Sequence, residues 1–278
     1  MIRVGRISRA LASPDVRLGG LGLAPYDRQL HAEAQALFVG VYFGDDLDVI
    51  LSHRGLAIVQ FCGADARRIA WAAPSIQQKR ARGRIRVLAP CTLVGTLAGE
   101  GIEVDVVHGV FVGDPAPFMP EPLGSRVHVY CPYDRREEYG IGLVTKVAAK
   151  LPNVGFYLGR WGDHPTPFPN AIALPAWTTD ERVRCVYRDC FCGLRTVARD
   201  GFPGTPVEMA LMGRPTAHVV DVGVPWVDVA PDVDALVVFV ERAREREEPD
   251  LALAAAARAY VADRSFLDVD VFGSLTPA

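Results

Sequence analysis

The sequence predicts an α/β fold made of two Rossmann-like domains, of which the N-terminal one is reduced. Short apolar runs alternate with segments of helical length along most of the chain, the pattern of a parallel sheet flanked by helices. Residues 113–124 contain four prolines in twelve positions, which excludes a helix and indicates a semi-rigid linker. We therefore predict a first domain over residues 1–122 and a second over residues 123–278.

Apolar runs in the first half predict buried strands, and the segments between them are long enough for crossover helices. We expect the strands at residues 36–42, 56–61, 85–89 and 104–107, and the helices at 45–53 and 67–79. Ligands bind at the carboxyl ends of the strands in such a sheet. Asp65 follows the second of these strands and is therefore a candidate for chemistry. The structural alternative is that Asp65 caps the next helix.

The second half repeats the alternation, beginning directly after the linker. Its strands are expected at residues 126–131, 154–159, 171–174 and 190–194, and its helices at 139–151, 180–187, 235–248 and 251–263. The last helix is a candidate to return to the first domain.

Composition limits the class of protein. Half of the residues are hydrophobic and 23% are charged, which is enough apolar material for a core in each domain. No apolar run reaches the ~20 residues that a membrane-spanning helix needs, and the N-terminus lacks the apolar stretch of a signal peptide. The six cysteines are scattered without a Cys-x-x-Cys pair, as expected for thiols in a reducing compartment. We therefore expect a cytoplasmic protein.

Charge is distributed unevenly along the chain. Residues 1–90 hold 13 Lys or Arg and 7 Asp or Glu, a net charge of +6, whereas the remainder holds 17 and 26, a net charge of −9. The densest basic segment predicts a surface for nucleic acid, an anionic membrane or an acidic glycan. The alternative is a solvated helix end. Its cations are Lys79, Arg80, Arg82, Arg84 and Arg86.

A glycine-rich turn followed by an apolar, helix-like run stands at residues 200–216. The backbone N–H groups and the helix dipole at the start of such a helix attract phosphate or another anion. Asp200 lies in the turn and Glu208 about two turns into the helix, so both carboxylates can face one ligand. The alternative is an ordinary loop–helix–strand unit with incidental acidic residues.

This stretch resembles the acidic-x7-acidic signature of group 1 glycosyltransferases, which have two Rossmann-like domains (GT-B) and use nucleotide-sugar donors. The family pattern is roughly Glu-Gly-Phe-x5-Glu-Ala-x3-Gly-x-Pro. This chain has Asp200-Gly201-Phe202, then Glu208-Met209, then Gly213-Arg214-Pro215. Two positions depart from the pattern, since Asp200 replaces a Glu and Met209 replaces the usual Ala.

The resemblance implies a donor site in the second domain. Asp200 would orient the sugar and Glu208 the ribose, and Trp177 would stack on the base or simply pack. The remaining donor-binding candidates lie at the turn and among the arginines expected to hold the diphosphate: Gly201, Phe202, Gly204, Thr205, Arg135, Arg136, Arg195 and Arg199.

The resemblance also reaches residues 58–65, which are similar to the family's Gly-x-Asp segment. If the enzyme inverts the anomeric centre, Asp65 is the first candidate for the general base, with Asp45 and Asp46 behind it. A retaining enzyme needs no protein base there. Both outcomes stay open at this point.

The resemblance implies a metal-independent glycosyltransferase that needs no cofactor besides its nucleotide-sugar co-substrate, with UDP-glucose as the expected donor. The basic N-terminal half makes a polyanionic acceptor attractive, and the leading expectation is a hydroxymethylated pyrimidine in DNA. The alternatives are a glycan or lipid-surface acceptor with peripheral membrane contact, a non-catalytic nucleotide- or nucleic-acid-binding protein, and a nucleotide-sugar epimerase on the same scaffold.

Overall fold

The computed structural model describes residues 4–8, 23–63, 65–107, 114–175, 180–198, 200–201 and 204–264. The chain divides into two compact units. The first comprises Met1–Asp114, Asp200–Phe202 and Val261–Ala278, and the second comprises Pro115–Arg199 and Pro203–Tyr260. The boundary therefore falls at 114/115 where the sequence predicts 122/123, and two later segments group with the first unit.

The first unit contains a six-stranded parallel sheet in its described part, with the strand order β2-β1-β3-β4-β5-β6. Four of the strands were predicted from their apolar runs, and the central ones are buried except at Arg86. The strands are β1 (Val4–Ile7), β2 (Ala24–Pro25), β3 (Ala36–Val39), β4 (Ala57–Gln60), β5 (Ile85–Ala89) and β6 (Val106–Val107).

Helices α1 (Gly44–Ser52), α2 (Ala73–Ala81) and α3 (Cys91–Gly99) belong to the same unit. The predicted helix over residues 67–79 is divided, because a 3-10 turn at Ala66–Trp71 precedes α2 and Pro74 stands in the first turn of α2. Helix α3 was not predicted. Ile50, Ile69, Ile76 and Leu97 from these elements pack with the strand side chains into one core.

The second unit contains another six-stranded parallel sheet, with the order β12-β11-β10-β7-β8-β9. From β7 the chain adds β8 and β9 on one side and then returns to add β10 on the other. The strands are β7 (Arg126–Tyr130), β8 (Gly155–Gly159), β9 (Ala171–Ala173), β10 (Cys190–Arg195), β11 (Thr216–His218) and β12 (Asp228–Val229). The strand order reverses between β7 and β10, and open α/β sheets bind their ligands at the carboxyl ends beside such a reversal.

The helices of the second part of the chain are α4 (Ile141–Lys150), α5 (Asp180–Arg188), α6 (Gly204–Leu211), α7 (Val233–Arg244) and α8 (Leu251–Arg264). Helices α4 and α7 pack against the sheet through Val144, Val147, Phe239 and Val240. The two parallel sheets with their helices confirm the predicted α/β fold of two Rossmann-like domains. No helix in the described ranges has the length and apolarity to cross a membrane.

Two residues of the resembling stretch are explained by packing in the second unit. Met209 takes the place of the usual Ala, and a Cβ on Gly193 of β10 would lie only 2.5 Å from the Met209 sulfur, so the glycine provides the room. Arg214 is completely buried, and its guanidinium donates to four backbone carbonyl oxygens at 2.7–3.2 Å, those of Pro122, Arg188, Cys190 and Met212. It is a structural arginine.

Candidate functional site

The Glu208 carboxylate in α6 is held by a buried tyrosine from α5. The Tyr187 hydroxyl donates to Glu208 Oε2 at 2.9 Å, and the Thr205 hydroxyl also hydrogen-bonds Tyr187. A Cβ at Gly204 would lie 3.9 Å from Glu208 Oε1, so the first residue of α6 brings no side chain against that oxygen. Glu208 itself is half-buried. One carboxylate oxygen is therefore fixed by Tyr187 and the other faces the first turn of the helix.

Tyr187 is buried, and its pKa is set mainly by that burial and by the neighbouring Glu208 carboxylate. It is 1% exposed, and burial raises the pKa of its phenol well above the usual value. The edge of the His128 ring meets it at 5.0 Å between ring centroids. Burial, and secondarily the charge of Arg195, lower the pKa of His128 to about 3, so this imidazole is neutral at physiological pH. Tyr187 therefore keeps its proton, and with it the bond to Glu208, across the working pH range.

Three arginines and two tyrosines meet at the carboxyl end of the second sheet; we call them the arginine–tyrosine cluster. The Arg195 guanidinium lies 4.6 Å from the ring centroid of Tyr130 and 5.4 Å from that of Tyr139. Arg135 lies 5.1 Å from the Tyr139 ring. Arg160 donates to the Tyr130 hydroxyl at 3.2 Å. Tyr130 ends β7 and Arg195 ends β10, so the cluster sits where the strand order reverses.

Backbone features fix this cluster. Arg160, directly after β8, has a left-handed backbone with φ of 61°, which is uncommon for a residue with a side chain. The Thr196 hydroxyl, just after β10, donates to the Tyr139 carbonyl at 2.6 Å. A Cβ on Gly140 would lie 2.7 Å from the Thr196 carbonyl oxygen, so only glycine allows this approach. The end of β10 is thereby tied to the start of α4, and Tyr139 is held beside Arg195.

The other cation predicted after β7, Arg136, belongs to a different group. Its guanidinium lies 4.4 Å from the Tyr133 ring centroid, donates to the Tyr133 carbonyl at 3.0 Å and pairs with Glu137 at 3.7 Å. Of the two arginines that the sequence places after this strand, Arg135 is the one in the arginine–tyrosine cluster.

In the first unit, Asp65 is committed to its own backbone. It is fully buried, and its carboxylate accepts from the N–H groups of Val41, Cys62, Gly63 and Ala66 at 2.8–3.1 Å. Burial raises its pKa despite these four bonds. A general base must reach a substrate hydroxyl. This geometry instead matches the structural alternative, since Asp65 caps the turn that begins at Ala66.

Asp45 and Asp46, the other two candidates for the general base, also have partners within the first unit. Asp46 is 2% exposed and accepts from the Ser8 hydroxyl at 2.6 Å and from the N–H groups of Tyr42 and Phe43 at 3.2 Å each. Arg6 lies 3.4 Å from Asp46 and 3.6 Å from Asp45. Asp46 thus fixes the start of α1, while Asp45 is half-exposed.

The Asp200-Gly201 turn packs on the segment that precedes Asp65. A Cβ on Gly201 would lie 1.8 Å from the Cys62 carbonyl oxygen, and one on Gly63 would lie 3.3 Å from the Gly201 nitrogen. The Gly201 N–H donates to Asp200 Oδ1 at 3.0 Å. The first unit therefore brings together two stretches that the sequence singled out separately, and Gly201 is required by the closeness of two backbones.

The basic segment is largely occupied within its own unit. Lys79 donates to the carbonyl oxygens of Ile50, Leu51 and His53 and so closes the C-terminal end of α1. Arg80 binds Asp105 at 2.8 and 3.2 Å and Glu103 at 2.7 Å. Arg84 donates to the Arg54 carbonyl, and Arg86 lies 3.9 Å from Asp105. Arg82 is exposed. This matches the solvated helix end better than a free basic surface.

Three of the predicted site residues, Trp177, Arg199 and Phe202, lie outside the described residues. Conversely, the sequence analysis missed Tyr130, Tyr139, Arg160 and Tyr187. Arg160 and Tyr130 carried a usable signal, because each stands at the carboxyl end of a predicted strand. Tyr187 did not, since an aromatic residue inside a helix is indistinguishable from core. Among the described residues no group of three or more His, Cys, Asp or Glu side chains is arranged to hold a metal ion.

The comparisons with known proteins agree with this architecture. No model of a protein family and no curated protein matches the chain. Among solved structures, it is similar to sucrose-phosphate synthase from Thermosynechococcus elongatus (TM-score 0.61, 11% identity, 89% of this chain and 72% of that one). It is also similar to OtsA (0.59, 10%, 90% and 74%) and to TarM (0.51, 10%, 87% and 54%).

These identities are too low to carry function, and the chain spans about half the length of TarM. What the likeness shows is the fold. The protein has the GT-B architecture of two Rossmann-like domains, which it shares with these glycosyltransferases.

Proposed function

We propose that the protein is a glycosyltransferase that takes a sugar from a nucleoside-diphosphate sugar bound in its second unit. The observation that carries the proposal is the arginine–tyrosine cluster at the reversal of strand order. Arg135, Arg160 and Arg195 gather there around two phenol rings, and guanidinium groups bind phosphate oxygens two at a time. The GT-B fold and the resemblance of residues 200–215 to the acidic-x7-acidic signature add independent support.

The reaction needs charge stabilisation more than covalent chemistry. The acceptor hydroxyl oxygen attacks the anomeric carbon, the bond from that carbon to the diphosphate oxygen breaks, and the hydroxyl proton passes to the departing diphosphate or to solvent. The electron pair leaves with the nucleoside diphosphate, whose charge grows in the transition state. Pre-positioned cations at that point lower the barrier, and the arginines fill this role in a metal-independent mechanism. In our proposal Glu208 holds the ribose and no cofactor takes part.

The identities of the donor and of the acceptor are further parts of the proposal. UDP-glucose is the first donor to test. DNA with hydroxymethylated pyrimidines remains the first polyanionic acceptor to test, because residues 1–90 carry a net charge of +6. It draws little support from Lys79 and Arg80, whose charged groups already have partners. A glycan or lipid-surface acceptor is the alternative, and activity on small sugars that does not depend on salt would favour it over DNA.

A second candidate function is nucleotide binding without catalysis. The specific observation in its favour is that Asp65 and Asp46, two of the candidate bases, are bound to backbone N–H groups. Release of UDP from UDP-glucose in the presence of an acceptor would exclude it. Conversion of the donor sugar with no acceptor present would instead indicate the epimerase.

The first experiment is a thermal-shift screen of UDP, ADP and GDP and their glucose conjugates on the parent protein and on Glu208→Ala. A nucleotide at 100 times its dissociation constant stabilises the folded state by about 2.7 kcal/mol. We expect the parent to shift with one nucleotide and Glu208→Ala to lose the shift, because the substitution removes the acceptor of the ribose hydroxyls.

The matched control is Glu248→Ala, an exposed glutamate of the same unit, which should keep the parent's shift. An equal shift in the parent and in Glu208→Ala would remove Glu208 from the donor site. No shift with any nucleotide would contradict the proposed function itself.

A further inference from the structure

Beyond the residues that touch the donor, we propose that Tyr187 is a positioning residue: it orients the Glu208 carboxylate toward the donor's ribose and thereby makes the protein select ribose over 2′-deoxyribose. The inference rests on the proposed function, because it takes Glu208 as the ribose contact. It concerns a residue that the acidic-x7-acidic signature does not contain.

The first argument is the geometry of the carboxylate. Tyr187 comes from α5 and Glu208 from α6, and the bond of 2.9 Å between Tyr187 Oη and Glu208 Oε2 spans the two helices. A glutamate has three rotatable side-chain bonds, so without an anchor its carboxylate samples several positions. Oε1 lies on the side of Gly204, the first residue of α6, where a Cβ would be 3.9 Å from it.

The second argument is that Tyr187 is itself rigid. Its ring is 1% exposed, is met edge-on by His128 at 5.0 Å between centroids and is also hydrogen-bonded by Thr205. His128 is fully buried in β7, next to the strand that ends at Arg195. The tyrosine is therefore held by the same sheet that carries the arginine–tyrosine cluster. Buried side chains thus connect the proposed ribose contact, Glu208, with the arginines proposed to bind the diphosphate.

The third argument concerns chemistry. The bond pairs a neutral donor with a carboxylate, and bonds of this kind are stronger than those between two neutral groups. The pKa of the Tyr187 phenol is raised by burial, so the donor persists at any pH at which the protein works. A site that orients an acceptor for a hydroxyl discriminates against a ligand without that hydroxyl, because the oriented acceptor then makes no bond to the ligand.

The alternative is that Tyr187 only packs α5 against the rest of the unit. The two roles differ in one measurable respect. A packing defect weakens all nucleotides alike, whereas loss of carboxylate orientation weakens only those with the hydroxyl that Glu208 accepts.

The experiment compares UDP with 2′-deoxy-UDP, by calorimetric titration, on the parent and on Tyr187→Phe; ADP and GDP with their 2′-deoxy forms serve as further probes. For the Tyr187→Phe variant we expect the affinity for UDP, or for whichever of the three the parent binds, to fall at least about tenfold, equivalent to about 1.4 kcal/mol. The affinity for the 2′-deoxy form should change less than about twofold. In a Glu208→Ala background, Tyr187→Phe should have no further effect on the ratio.

Tyr157→Phe is the matched control, because Tyr157 donates to the Asp189 carboxylate at the same distance of 2.9 Å, elsewhere in the unit. It should leave both affinities unchanged. Equal losses for the ribose and 2′-deoxyribose forms in Tyr187→Phe, or no loss for either, would overturn the inference while the proposed function stands. If the parent binds none of these nucleotides, the proposed function fails and the inference fails with it.

Discussion

The two arginine-rich regions of the molecule differ in what holds their side chains. In the basic segment of the first unit, Arg80 is bound by the carboxylates of Asp105 and Glu103. In the arginine–tyrosine cluster of the second unit, Arg195 lies over the rings of Tyr130 and Tyr139. A carboxylate neutralises the cation that it fixes, whereas an aromatic ring fixes a cation without adding a negative charge. Arg135 of the cluster is also paired with a carboxylate, that of Glu138 at 2.7 and 2.8 Å, so the contrast is one between Arg80 and Arg195.

This difference also changes how local sequence should be interpreted. A high density of Lys and Arg along the chain does not by itself establish a basic surface, because the carboxylates that pair with these residues can come from distant positions in the sequence. Asp105 lies 25 residues from Arg80, and it also accepts from the Val87 N–H at 2.8 Å, so it organises that region from a distance. The cations of the second unit come from separate elements and meet only in the folded sheet.

The largest effect that tests this comparison is expected from Arg195→Met. The substitution keeps much of the apolar stem but removes the charge, so UDP affinity should fall about 100-fold, within the range for hydrogen bonds to charged groups. Arg80→Met should leave that affinity unchanged. Both are measured by calorimetric titration, with melting temperatures recorded to confirm folding. Equal losses in the two variants would erase the distinction between the regions.

Arg80→Met should instead show its effect in stability. Asp105 is only 12% exposed at its side chain, and without Arg80 it keeps a partly buried charge with a weaker partner, Arg86 at 3.9 Å. We expect the free energy of unfolding to fall by about 2 kcal/mol. Arg82→Met, at an exposed arginine of the same segment, should change it by less than about 0.5 kcal/mol. Urea denaturation followed by circular dichroism measures both, and equal stability in the two variants would contradict the structural role.

The smallest expected effect is on the pH dependence of stability, and it comes from the buried, neutral His128. The pKa of His128 is about 3 in the folded protein against a usual value of 6.5. Between these values the unfolded chain binds a proton that the folded protein does not, so stability falls as pH drops below 6.5, by up to about 1.4 kcal/mol per pH unit. Urea denaturation at pH 7.5 and 5.5 should show this loss in the parent. His128→Gln should show a smaller loss over that interval, and identical pH slopes would speak against a buried neutral imidazole.

The elements of the fold were accessible from the sequence because each has a local cause. Apolar runs such as residues 85–89 and 154–159 become buried strands, and the prolines of the linker exclude a helix. Helix α3 was missed because its segment, Cys91–Gly99, is interrupted by Gly95 and is apolar without a polar face.

The site was only partly accessible. Spacing from the glycine-rich turn made Glu208 a candidate, and position after the strands that became β7 and β10 made Arg135 and Arg195 candidates. The partner of Glu208 stands 21 residues away, and Tyr130 stands 65 residues from Arg195. Such pairings depend on which strands are neighbours. A local sequence pattern does not show which strands are neighbours in the sheet. For the same reason, the sequence could give the backbone-capping role of Asp65 only as an alternative.

The buried guanidinium of Arg214 has a consequence for how the second unit assembles. Its four carbonyl partners come from the linker, from the end of α5, from the start of β10 and from the residues just before it. Each segment supplies one of the bonds that compensate a positive charge held away from water, and a shifted β10 would lose the bond to the Cys190 carbonyl. The four bonds together therefore favour the native arrangement of the linker, α5 and β10 over alternative ones.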